Sequence, residues 1–99
     1  MPDEPAAVAS ASETPADTIR LGGGEHWGSA SCPRDRITIA NTDPSNQHQQ
    51  LPGQFILRIG DRQDPPQTLI WNQSANRGPA QGRRVDVHNS GAVTLVLYV

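Results

Sequence analysis

Lysine is absent from this sequence, in which all eight basic residues are arginines. The formal net charge at pH 7 is −2, so no excess of positive charge is available for binding a phosphate backbone. No apolar run approaches the roughly 18 residues that a membrane-spanning helix needs. The residues that follow Met1 contain neither the basic stretch nor the apolar stretch of a secretory signal peptide. We therefore expect no nucleic-acid partner, no membrane partner and no secretion by a signal peptide.

Cysteine and histidine are also too few, and too irregularly spaced, to predict a metal site. Cys32 has no second cysteine with which to form a disulfide or a C-x-x-C motif. The three histidines, His26, His48 and His88, form no H-x-x-x-H or H-E-x-x-H pair. We expect these histidines on the surface, and we expect no bound metal and no cofactor.

Two segments resemble catalytic sequences but are better explained as turns. The glycine-rich residues 21–29 lack the Gly-Lys-Ser/Thr of a phosphate-binding loop and the G-x-S-x-G of a nucleophile turn. Asp61 and Asp64 lie in a segment rich in turn residues, and Asp86 alternates with valines on a predicted strand. The sequence therefore predicts a flexible corner at 21–29, solvated carboxylates and no enzymatic activity.

The most distinctive segment that the sequence does contain is acidic and N-terminal. Residues 1–17 carry four acidic residues, no basic residue and three prolines, and Met1 and Val8 are their only large apolar residues. Such a segment cannot bury enough apolar surface to offset its ordering entropy, so we predict an extended arm that is disordered in the free protein. At full extension the arm reaches about 55 Å, which is enough to contact a neighbouring subunit. Val8 is its candidate interface residue.

From residue 18 onward, apolar and polar residues alternate with a period of two, which is typical of β-strands. The predicted strands are 18–21, 36–41, 54–59, 68–72, 84–88 and 93–99. No window shows the periodicity of an amphipathic helix. We predict an all-β domain over residues 18–99, a small sandwich or barrel of six or more strands. The long polar loops 41–52 and 73–82 are expected to carry recognition.

The apolar residues of these strands form a small predicted core. Its fifteen members are Ile19, Leu21, Ile37, Ile39, Phe55, Leu57, Ile59, Leu69, Trp71, Val85, Val87, Val93, Leu95, Leu97 and Val99. A domain of this size without a disulfide or a metal gains much of its stability from association. We therefore expect copies of the chain to assemble, as a trimer or another small homo-oligomer.

The last predicted strand is apolar on both of its faces. Alternate residues from Val93 to Val99 face the core, and the opposite face presents Thr94, Val96 and Tyr98. The strand is then either central in its sheet and covered on both sides, or its second face contacts a partner. An uncovered strand of this kind would aggregate, since it has high β-propensity and no charge. We expect Val96 and Tyr98 to lie exposed on the domain and against another protein chain.

Arg77, Arg83 and Arg84 form the one basic cluster of the chain. Eight arginines against six acidic residues leave residues 18–99 with a formal charge of +2, whereas the arm carries −4. We expect the cluster to receive a carboxylate from a neighbour, including the acidic arm of another copy. Trp27, in the glycine-rich corner, is a further candidate contact residue, or else a lid over the core.

The layout of the chain resembles that of small all-β virion proteins of tailed phages. A Pro- and Ala-rich leader precedes a compact β domain that ends in residues 85–91 (VDVHNSG) and 95–99 (LVLYV). Capsid decoration (cement) proteins and head–tail accessory proteins are similar in style. The resemblance implies a non-catalytic subunit of the virion, made in the host cytoplasm, that docks onto capsid or tail subunits. The alternative is a ligand- or glycan-binding β-sandwich module, with Trp27 and Tyr98 as an aromatic platform beside loops rich in Asn and Gln.

Overall fold

The computed structural model describes residues 18–99, which form nine β-strands in two sheets. The strands are β1 Thr18–Leu21, β2 His26–Ser29, β3 Ile37–Ala40, β4 Gly53–Ile59, β5 Arg62–Gln63, β6 Gln67–Leu69, β7 Ser74–Arg77, β8 Val85–Asn89 and β9 Leu95–Tyr98. Within residues 18–99 the only helical element is a 3-10 turn at Pro44–Asn46. The predicted all-β sandwich is confirmed. Segment 1–17, with Val8, lies outside the described residues.

The two sheets have four and five strands, and every strand pairing in them is antiparallel. The first sheet has the order β1-β9-β3-β7. The second has the order β2-β8-β4-β5, and β6 pairs with the other end of β4. Among the strands of residues 18–99, only β4 and β5 are joined by a tight hairpin, whose two-residue loop begins at Gly60 with a φ of 60°. Glycine tolerates this φ, which fits the first central position of a type II′ turn.

The core lies between the sheets and is filled by alternate residues of β3, β4, β8 and β9. Twelve of the fifteen predicted core residues are buried. Ile19 and Ile59 are half-buried and pack against this core. Trp71 is half-buried in the turn that follows β6. The predicted strand 68–72 therefore ends early, at Leu69, and Asn72 in that turn has a φ of 68°.

Three short strands were not predicted, and one of them, β5, lies in the segment rich in turn residues that contains Asp61 and Asp64. Residues 26–29 form β2, so the glycine-rich corner ends at Glu25 and the prediction of a loop as far as residue 29 is wrong. Residues 74–77 form β7, inside the predicted polar loop 73–82. β2 contains one large apolar residue, Trp27, and β7 contains only Ala75. Because both strands lie at sheet edges, backbone pairing with β8 and β3 holds them without an apolar alternation.

Buried asparagines fix the long loop 41–52. The Nδ2 of Asn41 donates to the carbonyls of Leu51 (2.8 Å) and Leu69 (2.9 Å), and its Oδ1 accepts from the Nδ2 of Asn46 (3.0 Å). Asn46 also bonds both backbone groups of Leu51, at 2.8 and 3.0 Å. Both side-chain amides are hydrogen-bonded within the domain, so they are not available to a ligand on the loop surface.

Candidate functional site

The outer face of the four-stranded sheet carries an apolar groove centred on β9. Because β9 lies between β1 and β3, the outward residues Val96 and Tyr98 have a paired strand on each side. The groove has a volume of about 430 Å³ and is lined by these two residues, by Thr18 and Arg20 of β1, and by the loop 42–44. Thr18 is the first described residue, so segment 1–17 joins the domain at the edge of this groove.

An ion pair forms one side of the groove. Arg20 donates from Nε to Oδ1 of Asp43 (2.6 Å) and from Nη2 to Oδ2 (2.8 Å), a bidentate arrangement. Asp43 is 1% exposed and also caps the 3-10 turn, since its Oδ2 accepts from the backbone N–H (3.0 Å) and the hydroxyl of Ser45. The Arg20 hydrogen bonds hold the pKa of the Asp43 carboxyl well below its usual value; burial opposes this shift and the Ser45 bonds add to it.

The structure corrects the expected exposure of Val96. Of the two alternatives for the last strand, the central position is the one observed, and Val96 is 6% exposed within the described domain. It lies in register with Arg20 of β1 and Ala40 of β3. Tyr98, by contrast, is 38% exposed. Tyr98 and the exposed Pro44 are therefore the apolar side chains of this groove that remain accessible to a partner.

A second depression lies between the edges of the two sheets and is lined by three arginines. Arg77 belongs to β7, the edge of the four-stranded sheet, and Arg62 belongs to β5, an edge of the five-stranded sheet. Arg83 precedes β8 and completes the group. The cavity holds about 110 Å³ and is also lined by Ile59 and by the cis Gly78–Pro79 peptide. We call this cavity the arginine pocket.

The charges around the arginine pocket are unbalanced. Its one carboxylate, Asp64, accepts from Nε of Arg62 at 3.2 Å. The guanidinium of Arg77 instead bonds neutral acceptors, Oε1 of Gln67 at 2.5 Å and the Asn76 carbonyl at 3.0 Å. Arg83 makes no side-chain hydrogen bond or ion pair within residues 18–99. Guanidinium groups only donate hydrogen bonds, and they do so in a fork that fits a carboxylate, so the pocket is suited to one oxyanion.

Arg84 does not belong to this pocket, although the sequence groups it with Arg83. Its Nε donates to Oδ2 of Asp86 at 3.2 Å, on the outer face of the five-stranded sheet. On the same face the rings of His26 and His88 are stacked, with centroids 4.0 Å apart and planes 5° apart. They face each other in register on β2 and β8. The sequence did not predict this pairing, because nothing local links two histidines 62 positions apart.

Trp27 and Tyr98 lie on different sheets and do not form one aromatic platform. Trp27 pairs in register with Val87, whose side chain is fully buried, so Trp27 points inward from β2. It is half-buried and packs against the core. This is the lid position anticipated for Trp27, and it leaves Tyr98 as the accessible aromatic residue of the predicted pair.

Cys32 and His48 are the remaining residues that were considered for metal binding, and they differ in burial. Cys32 is buried at 1% exposure, and its Sγ lies 3.1 Å from the Arg34 carbonyl. His48 is exposed in the turn that follows the 3-10 helix. Within residues 18–99, no three His, Cys, Asp or Glu side chains are placed to hold a metal ion together.

Sequence reasoning missed Arg62, Arg20 and Asp43 as site residues. A signal existed for the last two: Asp43 precedes Pro44 and Ser45, the pattern of a helix cap whose carboxylate is fixed in place. For Arg62 no local signal existed, since its position in the pocket depends on the pairing of β4 with β5 and on the approach of β7.

The comparisons with known proteins add no assignment. No protein family matches the chain, and no curated protein matches it. Residues 18–99 contain no helix that is both long enough and apolar enough to cross a membrane. The candidate site therefore rests on its own geometry: an apolar groove with Tyr98 accessible, and a cationic pocket at the neighbouring sheet edge.

Proposed function

We propose that this chain is a non-catalytic structural subunit that docks onto a larger protein assembly and onto copies of itself. The observation that carries the proposal is the groove beside Tyr98, at whose edge segment 1–17 joins the domain. Tyrosine is enriched among the residues that dominate binding energy at protein interfaces, because it buries a large apolar area at a small entropic cost. In this proposal the groove and segment 1–17 act together in docking.

In its specific form, the proposal is that the chain is a decoration (cement) protein or another minor protein of a tailed-phage virion. Support comes from the resemblance in layout and from the small core, which favours association as a trimer or other small oligomer. Segment 1–17 would extend from each subunit onto its neighbour. Apolar contacts of Val8 and the alanines would supply most of the affinity, since exposed ion pairs contribute only about 0–1 kcal/mol each.

The proposal is tested first by self-association of the purified full chain. We expect Tyr98→Glu to weaken association at least tenfold in sedimentation velocity, because the interface would have to bury an unpaired carboxylate. Ile70→Glu is the matched control: Ile70 is 63% exposed, lies in the loop after β6 and does not line the groove. It carries the same chemical change and should leave association unaltered. Thermal melting of both variants checks that the fold is intact.

The larger assembly is tested in the native host. A tagged chain should sediment with virus particles in a density gradient, and Tyr98→Glu should lower the particle-bound fraction while Ile70→Glu does not. A chain that never accompanies particles would refute the virion assignment. A chain whose association responds equally to both substitutions would refute docking through the groove.

A further inference from the structure

The arginine pocket has a charge imbalance that the domain itself does not satisfy. Arg62, Arg77 and Arg83 line it together with one carboxylate, Asp64, which Arg62 already engages. The cavity, at about 110 Å³, is large enough for one oxyanion group but not for a drug-sized ligand, whose sites measure about 300–1,000 Å³. The geometry is therefore that of a receptor for a single charged group.

Segment 1–17 has the complementary chemistry. Its charge of −4 comes from Asp3, Glu4, Glu13 and Asp17, and residues 18–99 carry +2. Carboxylates bind guanidinium groups in a bidentate manner, as Arg20 and Asp43 show elsewhere in this domain. The groove of the proposed function lies on the outer face of the sheet whose edge strand, β7, contributes Arg77 to the pocket. Tyr98 of β9 is two strands from β7, a spacing of about 10 Å at ~4.8 Å per strand.

We propose that the arginine pocket binds a carboxylate from segment 1–17 of a second copy of this chain. This inference rests on the proposed function, because the same segment would place its apolar residues on the Tyr98 groove and one acidic residue in the pocket. Val8 lies four residues from Glu4 and five from Glu13, which is about 13–16 Å of extended chain. This length exceeds the spacing of about 10 Å between β9 and β7, so either acidic residue is able to extend past the sheet edge toward the pocket while Val8 occupies the groove.

The sequence provides a matched control for testing the pocket. Arg83→Gln removes a positive charge from the pocket, and Arg84→Gln removes the same charge one residue later, on the other face of the sheet. Arg83 has no side-chain partner within residues 18–99, so Arg83→Gln should leave the melting temperature of the dissociated chain unchanged. The segment itself is neutralised by the combined change D3N/E4Q/E13Q/D17N in the full chain.

Sedimentation velocity on the full chain measures the coupling between pocket and segment as a double-mutant cycle. We expect Arg83→Gln and the neutralised segment each to weaken self-association about fivefold or more, and Arg84→Gln to change it less than twofold. Combining Arg83→Gln with the neutralised segment should weaken association no further than either change alone, since both remove one contact. Additive effects, or equal effects of Arg83→Gln and Arg84→Gln, would overturn the proposal.

The remaining outcomes separate this inference from the proposed function. If Tyr98→Glu dissociates the oligomer and Arg83→Gln does not, docking through the groove stands and the pocket assignment fails. The two changes could instead be coupled only in the melting temperature, with no dependence on protein concentration. The carboxylate would then come from segment 1–17 of the same chain, and the proposal that a second copy supplies it would be wrong. A wild-type chain that is monomeric at every concentration also overturns it, while particle binding still tests the proposed function.

Discussion

Asn89 provides the most direct test of how the two sheets are held together. It is fully buried at the end of β8, and its Nδ2 donates to the carbonyls of Leu21 and Val93, each at 2.7 Å. Its Oδ1 accepts from the backbone N–H of Gly91 at 3.1 Å. The side-chain amide of Asn89, in the five-stranded sheet, therefore bonds the end of β1 and the segment that leads into β9. β1 and β9 both belong to the four-stranded sheet.

Asn89→Asp keeps the shape of the side chain and removes both donors. Each lost hydrogen bond costs about 1 kcal/mol, and each buried carbonyl left without a donor costs about 1–3 kcal/mol. Allowing for partial relaxation, we expect the free energy of unfolding to fall by about 3–5 kcal/mol at pH 7, a large part of the about 5–15 kcal/mol typical of a domain. Urea denaturation followed by circular dichroism measures the loss.

The pH dependence of Asn89→Asp supplies a second readout. Burial beside two carbonyls raises the pKa of the introduced carboxyl above its unfolded value of about 3.9, so the penalty is complete above the raised pKa. As pH falls through that pKa, the carboxyl takes up a proton and regains one donor, and the variant recovers stability relative to wild type. Asn76→Asp on exposed β7 is the control and should change stability by under about 0.5 kcal/mol. If Asn89→Asp costs no more than this control, the amide does not hold the sheets together.

Two further predictions concern the groove and the core. The pKa of Asp43 is lowered in the folded state, so its contribution to stability is complete above pH about 4 and is lost as pH falls below that value. Asp43→Asn should therefore lower stability at pH 7 and flatten the acid side of the pH–stability profile measured by urea titration; a profile as steep as that of wild type would contradict this. Gly53→Ala should cost about 1–3 kcal/mol, since a Cβ there would lie 2.7 Å from Cδ2 of Leu95 and 3.0 Å from Cγ2 of Val93. A Gly53→Ala melting temperature equal to that of wild type would show that the core expands without cost.

The sequence predicted the strands whose alternation carries a large apolar residue at every second position. β3, β4, β8 and β9 fill the core with Ile, Phe, Leu and Val, and for such strands periodicity and burial agree. β2, β5 and β7 were not predicted because their residues contribute little to burial, and backbone pairing with a neighbouring strand forms them. The central position of β9 was one of two alternatives, since a strand that is apolar on both faces fits either burial by its own domain or contact with a partner.

The arginine pocket was only half predictable, and the reason is geometric. Arg83 and Arg84 are adjacent in sequence, but Arg83 lies in the bend before β8 and lines the pocket, whereas Arg84 leads into the strand beside Asp86. Arg62 and Arg77 line the same pocket because β5 and β7 are edges of facing sheets. Local periodicity does not predict the order of strands in a sheet.

The distribution of acceptors explains why an incoming carboxylate would select the pocket over the groove. Arg20 is the cation of the groove, but the bidentate bond to buried Asp43 already occupies its guanidinium. The guanidinium of Arg77 bonds only neutral oxygens, and Arg83 engages no side-chain partner within residues 18–99. The pocket is lined by three cations and one anion, Asp64, whereas the groove is lined by one cation and one anion, so an incoming carboxylate would be attracted more strongly at the pocket. In this proposal, apolar contact at Tyr98 and charge recognition at the sheet edge would thus be divided between two surfaces of the domain.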